Sequence, residues 1–328
     1  MTKTTIKKIG VLTSGGDAPG MNAALRAVVR ACKYYEIASI GIMHGYEGLI
    51  HDDMIELGPR DVKNIINQGG TFLKTARSEE FRTKEGRQKA YENLKKNDID
   101  ALVVIGGDGS FTGANIFHQE FDVPFIGVPG TIDNDIFGTD YTIGYDTALN
   151  TVIEAVDKLR DTATSHNRVF FVEVMGRDAG FIALNSGIAS GAQDILIPEQ
   201  KDSVEDLCNS LERSEETGKK SSIVVIAEGE QLGGVYEIAK QVQARHPEYD
   251  IRVTVLGHIQ RGGSPTCQDR VLASRLGIAA VEGLLDHKTN LMAGIRSNKV
   301  VFTPIDEAIK KHNEIDEELI KVANILSI

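Results

Sequence analysis

Two glycine- and carboxylate-rich segments of this chain contain residues that could transfer a phosphoryl group. The segments Gly106–Ser110 and Thr131–Asp135 each come shortly after an apolar run of strand length. Backbone N–H groups of the first segment can bind phosphate oxygens, while Asp108 is suited to Mg²⁺. In the second segment, Asp133 or Asp135 could remove a proton from an alcohol. Together the two segments predict transfer of a phosphoryl group to a hydroxyl.

Each segment also has a structural interpretation. Gly106–Ser110 could be an ordinary tight turn in which Asp108 caps a helix, and Asp-Asn-Asp favours turns. The first segment is not a Walker motif, which needs Gly-Lys followed by Ser or Thr, and Ser14–Gly20 does not fit the dinucleotide fingerprint. Kinases of nicotinamide dinucleotides and of lipids have a similar glycine-rich run, so a kinase acting on a nucleotide cofactor remains an alternative.

Arginines and one histidine near other strand ends could bind anionic groups, because a guanidinium makes paired hydrogen bonds to phosphate oxygens. Taken one at a time, each arginine could instead be a solvated surface residue. The histidine could instead be satisfied by a hydrogen bond to a neighbouring carbonyl. These candidates are Arg77, Arg168, Arg177, Arg252, His258 and Arg261.

The elements that must position these residues alternate between strands and helices, which predicts a doubly wound α/β fold with mostly parallel sheets. In such sheets, ligands bind beyond the carboxyl ends of the strands. A further helix is expected to open at about Thr112. The predicted strands are Lys8–Thr13, Ala38–Met43, Ala101–Ile105, Phe125–Val128, Val169–Val174, Ile195–Ile197, Ile223–Ala227 and Arg252–Leu256. The predicted helices are Met21–Lys33, Arg87–Lys96, Asp146–Arg160, Ser203–Thr217, Val235–Ala244 and Asp269–Leu285.

Composition narrows the function classes. The 328 residues suffice for two domains, and the net charge of −11 argues against a nucleic-acid or membrane-surface role. Three widely spaced cysteines fit a reducing compartment. Neither a signal peptide nor an apolar run long enough to span a membrane is visible, so we expect a cytoplasmic protein.

Five motifs resemble the bacterial ATP-dependent 6-phosphofructokinase family of glycolysis. The likeness runs in order along the chain and fades after about Thr303. The motifs are Thr13–Asn22, Gly106–Ser110, Pro129–Asp135, Val174–Arg177 and Leu256–Pro265. The resemblance implies transfer of the ATP γ-phosphoryl group to the 1-hydroxyl of fructose 6-phosphate, with Mg²⁺. It also implies a homotetramer and two three-layer αβα domains. We expect an ATP-binding domain of residues 1–144 plus 259–308, and a sugar-phosphate domain of 145–258 plus 309–328.

Roles carried over from the family fall into three groups. Assigned to ATP and its metal are Gly16, Arg77, Ser78, Gly107, Asp108, Gly109 and Ser110, with Asp108 as the metal ligand and Tyr46 near the adenine. Assigned to catalysis are Asp133 as base, Arg177 on the transferring group, and Thr131 and Asp135 in support. Assigned to the sugar phosphate are Thr131, Asp133, Met175, Gly176, Arg177, Glu228, Arg168, Arg252, His258 and Arg261, of which Arg168 and Arg252 reach across from a neighbouring subunit.

Two glycines predict ATP as the phosphoryl donor. Similar pyrophosphate-dependent enzymes have an aspartate at the position of Gly109, which would crowd and repel the ATP α-phosphate, and a lysine at Gly130. A pyrophosphate-dependent enzyme and a catalytically silent nucleotide-binding regulator are the alternatives.

The family's site for ADP or phosphoenolpyruvate is only partly matched. Arg26, Arg30, Arg160 and Lys219 fit this effector site, although Arg26 and Arg30 could simply line a solvated helix face. Gln193 stands where an acidic residue is usual, Thr217 replaces a basic residue, and Pro59 falls where an arginine is common. The hypothesis is therefore weak activation by ADP and weak inhibition by phosphoenolpyruvate.

Overall fold

A computed structural model describes residues 6–166, 168–216, 218 and 221–327. The strands are β1 (Lys8–Thr13), β2 (Ala38–Ile42), β3 (Met54–Leu57), β4 (Ala101–Gly106), β5 (Phe125–Thr131), β6 (Ile143–Gly144), β7 (Arg168–Val174), β8 (Asp194–Leu196), β9 (Ser222–Ala227), β10 (Asp250–Val255), β11 (Leu291–Arg296) and β12 (Lys299–Pro304). The helices are α1 (Met21–Tyr34), α2 (Tyr46–His51), α3 (Lys84–Lys96), α4 (Asp108–Phe121), α5 (Tyr145–His166), α6 (Phe181–Ser190), α7 (Val204–Glu216), α8 (Val235–Arg245), α9 (Cys267–Leu285), α10 (Ile305–Lys310) and α11 (Glu317–Leu326), with 3₁₀ helices η1 (Glu80–Arg82) and η2 (Gly257–Arg261).

The contacts divide the chain into two compact units. Unit 1 comprises Met1–Thr131, Ile136–Thr147 and Arg261–Asn313, and unit 2 comprises Ile132–Asp135, Ala148–Gln260 and Glu314–Ile328. The predicted domain limits fall within a few residues of these unit limits. They differ in the short segment Ile132–Asp135, which we expected in the ATP-binding domain and which packs with unit 2. The functional meaning of the two units stays a prediction.

Unit 1 is built on a mostly parallel sheet whose described strands have the order β12-β11-β5-β4-β1-β2-β3, with β6 paired to β5. Strands β3 and β12 are antiparallel to their neighbours and form the two edges. The central strand β4 is buried at every position, as expected for a parallel strand covered on both faces. Helix α4 follows β4 after a single extended residue, Gly107. It therefore begins at Asp108, and the prediction that it opens at about Thr112 is wrong. Asp108 and Ser110 consequently lie in its first turn.

Unit 2 has a parallel sheet with the described strand order β10-β7-β9-β8. Its core is an apolar cluster in which the two central strands pack against helices α7 and α8. The buried members of this cluster include Phe171, Val224, Ile226, Leu207, Leu211 and Ile238. Ser203 caps α7 by accepting a hydrogen bond from the backbone N–H of Asp206 at 3.1 Å, so its sequence signal for a helix start is borne out. Across the described ranges of both units, every helix is too short or too polar to cross a bilayer.

The α/β prediction is confirmed, and the predicted strands all exist. Their limits agree with the expected ones within two residues, except that β5 runs three residues past its expected end at Val128. The short elements β3, β6, β11 and β12 were not predicted. Strands β11 and β12 form a hairpin joined by Ser297 and Asn298, whose φ angles of 46° and 61° are those of a two-residue turn. A polar pair between two apolar runs is the sequence signal for such a hairpin.

Candidate active site

In unit 1, two turns meet at the carboxyl ends of β1 and β4. The backbone N–H of Ser14 donates to the carbonyl of Ile105 at 2.9 Å. A Cβ atom at Gly106 would lie 2.5 Å from both the Ser14 carbonyl oxygen and the Ser110 Oγ, so only glycine fits there. The turn after β1 is also close to Arg261, because a Cβ at Gly16 would lie 2.7 Å from its Nη1. The structure therefore brings Gly16, Ser110 and Arg261 into one region.

The N-terminus of α4 forms an open cradle. Gly107 is extended at the N-cap. Apart from the chain neighbours of Gly109 and the backbone of its own helix, no described atom lies within 4 Å of the position that its Cβ would take. A helix N-terminus attracts an anion through its N–H groups and its dipole. Asp108, half-buried in the first turn, offers the carboxylate that Mg²⁺ prefers beside phosphate oxygens and water. The residues of this cradle therefore fit a nucleotide phosphate with its metal.

Tyr46 has a structural role beneath this cradle. Its ring is only 6% exposed and stacks on Phe81 with centroids 4.1 Å apart. Its hydroxyl donates to the carbonyl of Ser110 at 2.5 Å, and burial raises the pKa of the phenol. The ring is thus enclosed in the core of unit 1, and the expectation that Tyr46 lies near an adenine stays a prediction.

The two remaining residues predicted to bind ATP lie between β3 and η1. Arg77 is exposed and Ser78 is half-buried. The Ser78 Oγ accepts a hydrogen bond from the backbone N–H of Phe81 at 3.1 Å, which supports η1. The same hydroxyl also bonds to the Glu47 carboxylate, lowering its pKa.

In unit 2, Asp133 lies against Arg177. The Asp133 side chain is 1% exposed, and its Oδ2 is 3.4 Å from Arg177 Nε. The Arg177 side chain is 57% exposed, so it can face a ligand while the Asp133 carboxylate stays sheltered from water. A buried carboxylate beside an accessible guanidinium can accept a proton at the same point where negative charge develops.

The turn that presents Arg177 is held by side chains from two neighbouring strands. Glu228 Oε1 accepts hydrogen bonds from the backbone N–H groups of Gly176 at 3.2 Å and Arg177 at 2.8 Å. Gln260 Oε1 accepts from the N–H of Met175 at 3.2 Å. Gln260 lies inside the Leu256–Pro265 motif, but the resemblance to the family assigned it no role.

Other predicted residues occupy different places. Thr131, at the end of β5, accepts a hydrogen bond at its carbonyl from Thr142 Oγ1 at 2.7 Å. Asp135 is half-buried and follows Asn134, whose φ of 57° makes the sharp bend in the Asp-Asn-Asp loop. His258 is exposed in η2, just after β10.

Arg168 begins β7, at the opposite end of that strand from Arg177, and Arg252 pairs with Phe170 in the first half of the same strand. Arg168 Nε donates to Asp250 Oδ2, and Arg252 Nη2 lies by Asp250 Oδ1, each at 2.8 Å. The hydrogen bond from Arg168, together with Arg252, lowers the pKa of Asp250. Arg168 begins β7 and Val174 ends it, so the two ends of this strand are about 20 Å apart. Within one chain, unit 2 does not bring these arginines to Arg177.

The effector candidates are distributed over both units. Arg26 and Arg30 are on α1, where burial and the neighbouring Arg30 lower the pKa of Arg26. Arg160 donates to the carbonyls of Ser190 and Gly191 in unit 2. Lys219 and Thr217 lie outside the described residues.

Gln193 is 3% exposed, and its Nε2 donates to the carbonyl of Ser327 at 2.7 Å. Its Oε1 accepts a hydrogen bond from Ser214 Oγ at 3.2 Å. Pro59 is half-buried in the segment after β3.

The sequence and the fold of this chain are similar to those of known proteins. A family profile described as Phosphofructokinase matches residues 8–284. The chain is 57% identical over 99% of both chains to a protein of Bacteroides thetaiotaomicron named ATP-dependent 6-phosphofructokinase 2. It is 53% identical over 98% of both chains to the ATP-dependent 6-phosphofructokinase of Cytophaga hutchinsonii. The solved phosphofructokinase of Saccharomyces cerevisiae superimposes with a TM-score of 0.89 at 38% identity, over 98% of this chain and 46% of the yeast chain. The chain belongs to the phosphofructokinase family.

Proposed function

We propose that this chain transfers the γ-phosphoryl group of ATP to the 1-hydroxyl of D-fructose 6-phosphate, giving fructose 1,6-bisphosphate and ADP. The observation that carries the proposal is the Asp133–Arg177 pair, 3.4 Å apart in unit 2. Its support is the identity of 57% and 53% to relatives named as ATP-dependent 6-phosphofructokinases. A catalytically silent regulator would not need a sheltered carboxylate beside an exposed guanidinium.

Asp133 acts as the general base in this reaction. It removes the proton of the sugar 1-hydroxyl as the oxygen attacks the γ-phosphorus, and the leaving group is ADP. Arg177 stabilises the charge that develops on the transferring oxygens. Glu228 Oε1 is already bonded to backbone N–H groups, which leaves its second oxygen to accept a sugar hydroxyl.

The first turn of α4 binds the nucleotide phosphates in this mechanism. Asp108 would hold the Mg²⁺, which neutralises phosphate charge when it is bound. ATP is favoured over pyrophosphate as donor because the open space at Gly109 leaves room for an α-phosphate. Activity with pyrophosphate but not with ATP would overturn this choice of donor.

A homotetramer with shared sites is part of the proposal. Arg168 lies at the far end of β7 from Arg177, and Arg252 lies on β10, which is an edge strand of the unit 2 sheet. In a neighbouring copy these two arginines, with His258 and Arg261 of the first, would bind the sugar 6-phosphate. We further propose a cytoplasmic location and weak responses to ADP and phosphoenolpyruvate.

A coupled assay with fructose 6-phosphate and Mg-ATP tests the function. Asp133→Ser should lower kcat by about 10²–10⁴-fold, which is the usual contribution of a general base, while ATP binding is retained. Asp157→Asn, which removes an exposed carboxylate from α5, is the control and should keep full turnover. Undiminished kcat in Asp133→Ser would remove Asp133 from its role.

A further inference from the structure

The three residues that follow β7 form a strained turn, here called the 175–177 turn. Gly176 has a φ of 144° and Arg177 a φ of 52°. The left-handed region disfavours a residue with a long side chain, so this conformation persists only where its surroundings hold it. The turn must therefore be clamped by neighbours if Arg177 is to keep one orientation.

The clamp consists of two side chains, one on each side of β7. Glu228, just after β9, accepts the N–H groups of Gly176 and Arg177. Gln260, in η2 after β10, accepts the N–H of Met175. Three successive backbone N–H groups thus donate hydrogen bonds to side-chain oxygens, and not to the backbone of a neighbouring strand.

Gln260 also fixes a second turn. Its Nε2 donates to the carbonyl of Gly257 at 3.0 Å, so one amide group joins the 175–177 turn to the turn that carries His258. The register between these strands continues up to this point, because the N–H of Leu256 donates to the Glu173 carbonyl at 3.1 Å. Gln260 is 0% exposed, so it cannot touch a substrate itself.

We propose that Gln260 is a positioning residue for phosphoryl transfer, aligning Arg177 and His258 through its two hydrogen bonds. The inference rests on the proposed function, since Arg177 is placed on the transferring group and His258 on the sugar phosphate. The bond to Met175 sets the direction of Arg177 and thus affects kcat. The bond to Gly257 fixes the position of the turn that carries His258, and thus affects the KM for fructose 6-phosphate.

Gln260→Met tests both bonds at once, because methionine has a similar length and is tolerated in a buried position but makes neither hydrogen bond. The kcat/KM for fructose 6-phosphate should fall by about 100-fold, the loss expected from misplacing a catalytic group by about 1 Å. The KM for ATP should stay unchanged, because the residues assigned to ATP lie in unit 1.

Gln260→Glu separates the two bonds. Glutamate keeps an oxygen for the Met175 N–H but lacks the N–H that Gln260 donates to Gly257. Its kcat should therefore lie closer to that of the unchanged protein than the kcat of Gln260→Met does, while the KM for fructose 6-phosphate stays raised. A role in folding alone would not produce this division between kcat and KM.

Gln243→Met is the matched control. Gln243 uses its amide in the same way, donating to the carbonyls of His246 at 3.2 Å and Pro247 at 3.1 Å, and it secures a different turn of unit 2. Its kcat/KM should not change. The proposal is overturned if Gln260→Met keeps kcat/KM within about threefold of the unchanged protein, or if its KM for ATP rises in parallel with that for the sugar.

A crystal structure of Gln260→Met supplies a readout that does not depend on activity. Arg177 should leave its left-handed conformation, and its Nε should move away from Asp133. If the 175–177 turn does not move in this variant, the positioning role is contradicted, even if the kinetic constants change. If the unchanged protein does not phosphorylate fructose 6-phosphate at all, the proposed function fails instead, and the movement of the turn still decides the structural claim.

Discussion

Replacing Gly109 by aspartate is the sharpest test of the ATP cradle. Gly109 is the second residue of α4, and the position of its Cβ is open to at least 4 Å among the described residues. The first atom of the new side chain therefore meets no neighbour outside its own helix. We expect the effect of Gly109→Asp on activity to come from the carboxylate, at the proposed position of a nucleotide phosphate.

The magnitude follows from the charge and from the position on the helix. Two like charges about 4 Å apart repel by about 4 kcal/mol at an effective dielectric constant of 20, which is about a 10³-fold loss in kcat/KM for ATP. The folded protein should not be weakened. An acidic residue in the first turn of a helix adds about 0.3–1 kcal/mol of stability, and replacing a helical glycine also helps. Loss of activity without loss of stability is therefore the expected signature.

Initial rates at varied ATP and saturating fructose 6-phosphate, together with thermal unfolding, measure both effects. Gln119→Glu adds a carboxylate to an exposed site of the same helix, ten residues further along. That is about 15 Å away, beyond the range of most screened interactions, so this control should keep normal kinetics. A Gly109→Asp variant that uses ATP as well as the unchanged protein does would refute the cradle.

Other outcomes follow from single contacts. Burial raises the pKa of Asp269 to about 6, above its ordinary 3.8, so its share of stability is full below about pH 4 and is lost as the pH rises through 6. The loss is about 3 kcal/mol and falls between the two pKa values, so the stability difference between the unchanged protein and Asp269→Asn should shrink by about that amount from about pH 4 to about pH 7 in denaturant titrations. Arg252→Gln should raise the KM for fructose 6-phosphate but not the KM for ATP. Because the proposed sites are shared between copies of the chain, dilution that dissociates the protein in sedimentation runs should abolish activity. Titration with ADP and phosphoenolpyruvate should give shallow responses, because Gln193 is already committed to Ser327; a tight, cooperative response would contradict this.

The buried parts of the fold were predictable because their sequences leave few alternatives. β4 is a continuous apolar run between a polar turn and a glycine loop, and such a run becomes a central parallel strand. The edge elements were not predictable in the same way. β12 has three exposed and three half-buried residues, so it lacks a buried apolar face that would identify it. Its pairing is instead set by the two-residue turn before it.

The site was predictable only one turn at a time. Sequence motifs located Asp133 and Arg177, yet nothing in their spacing gives the 3.4 Å between their side chains, because that distance depends on how the 132–135 loop packs in unit 2. The packing of Tyr46 was not predictable for the same reason. Its ring stacks on Phe81 in the core of unit 1, and the residues around Tyr46 in the sequence do not give that contact.

Gln260 shows why a residue that shapes a site can be missed even inside a recognised motif. Its type is neutral, and its importance comes from what its two amide atoms reach, Met175 on one side and Gly257 on the other. Both partners are backbone groups, so side-chain chemistry gives no sign of them. A strained turn such as 175–177 needs these bonds, because its own backbone cannot supply them. The residues that make the chemistry possible here are therefore of two kinds: those whose charge acts on the substrate, and those that hold the charged groups in place.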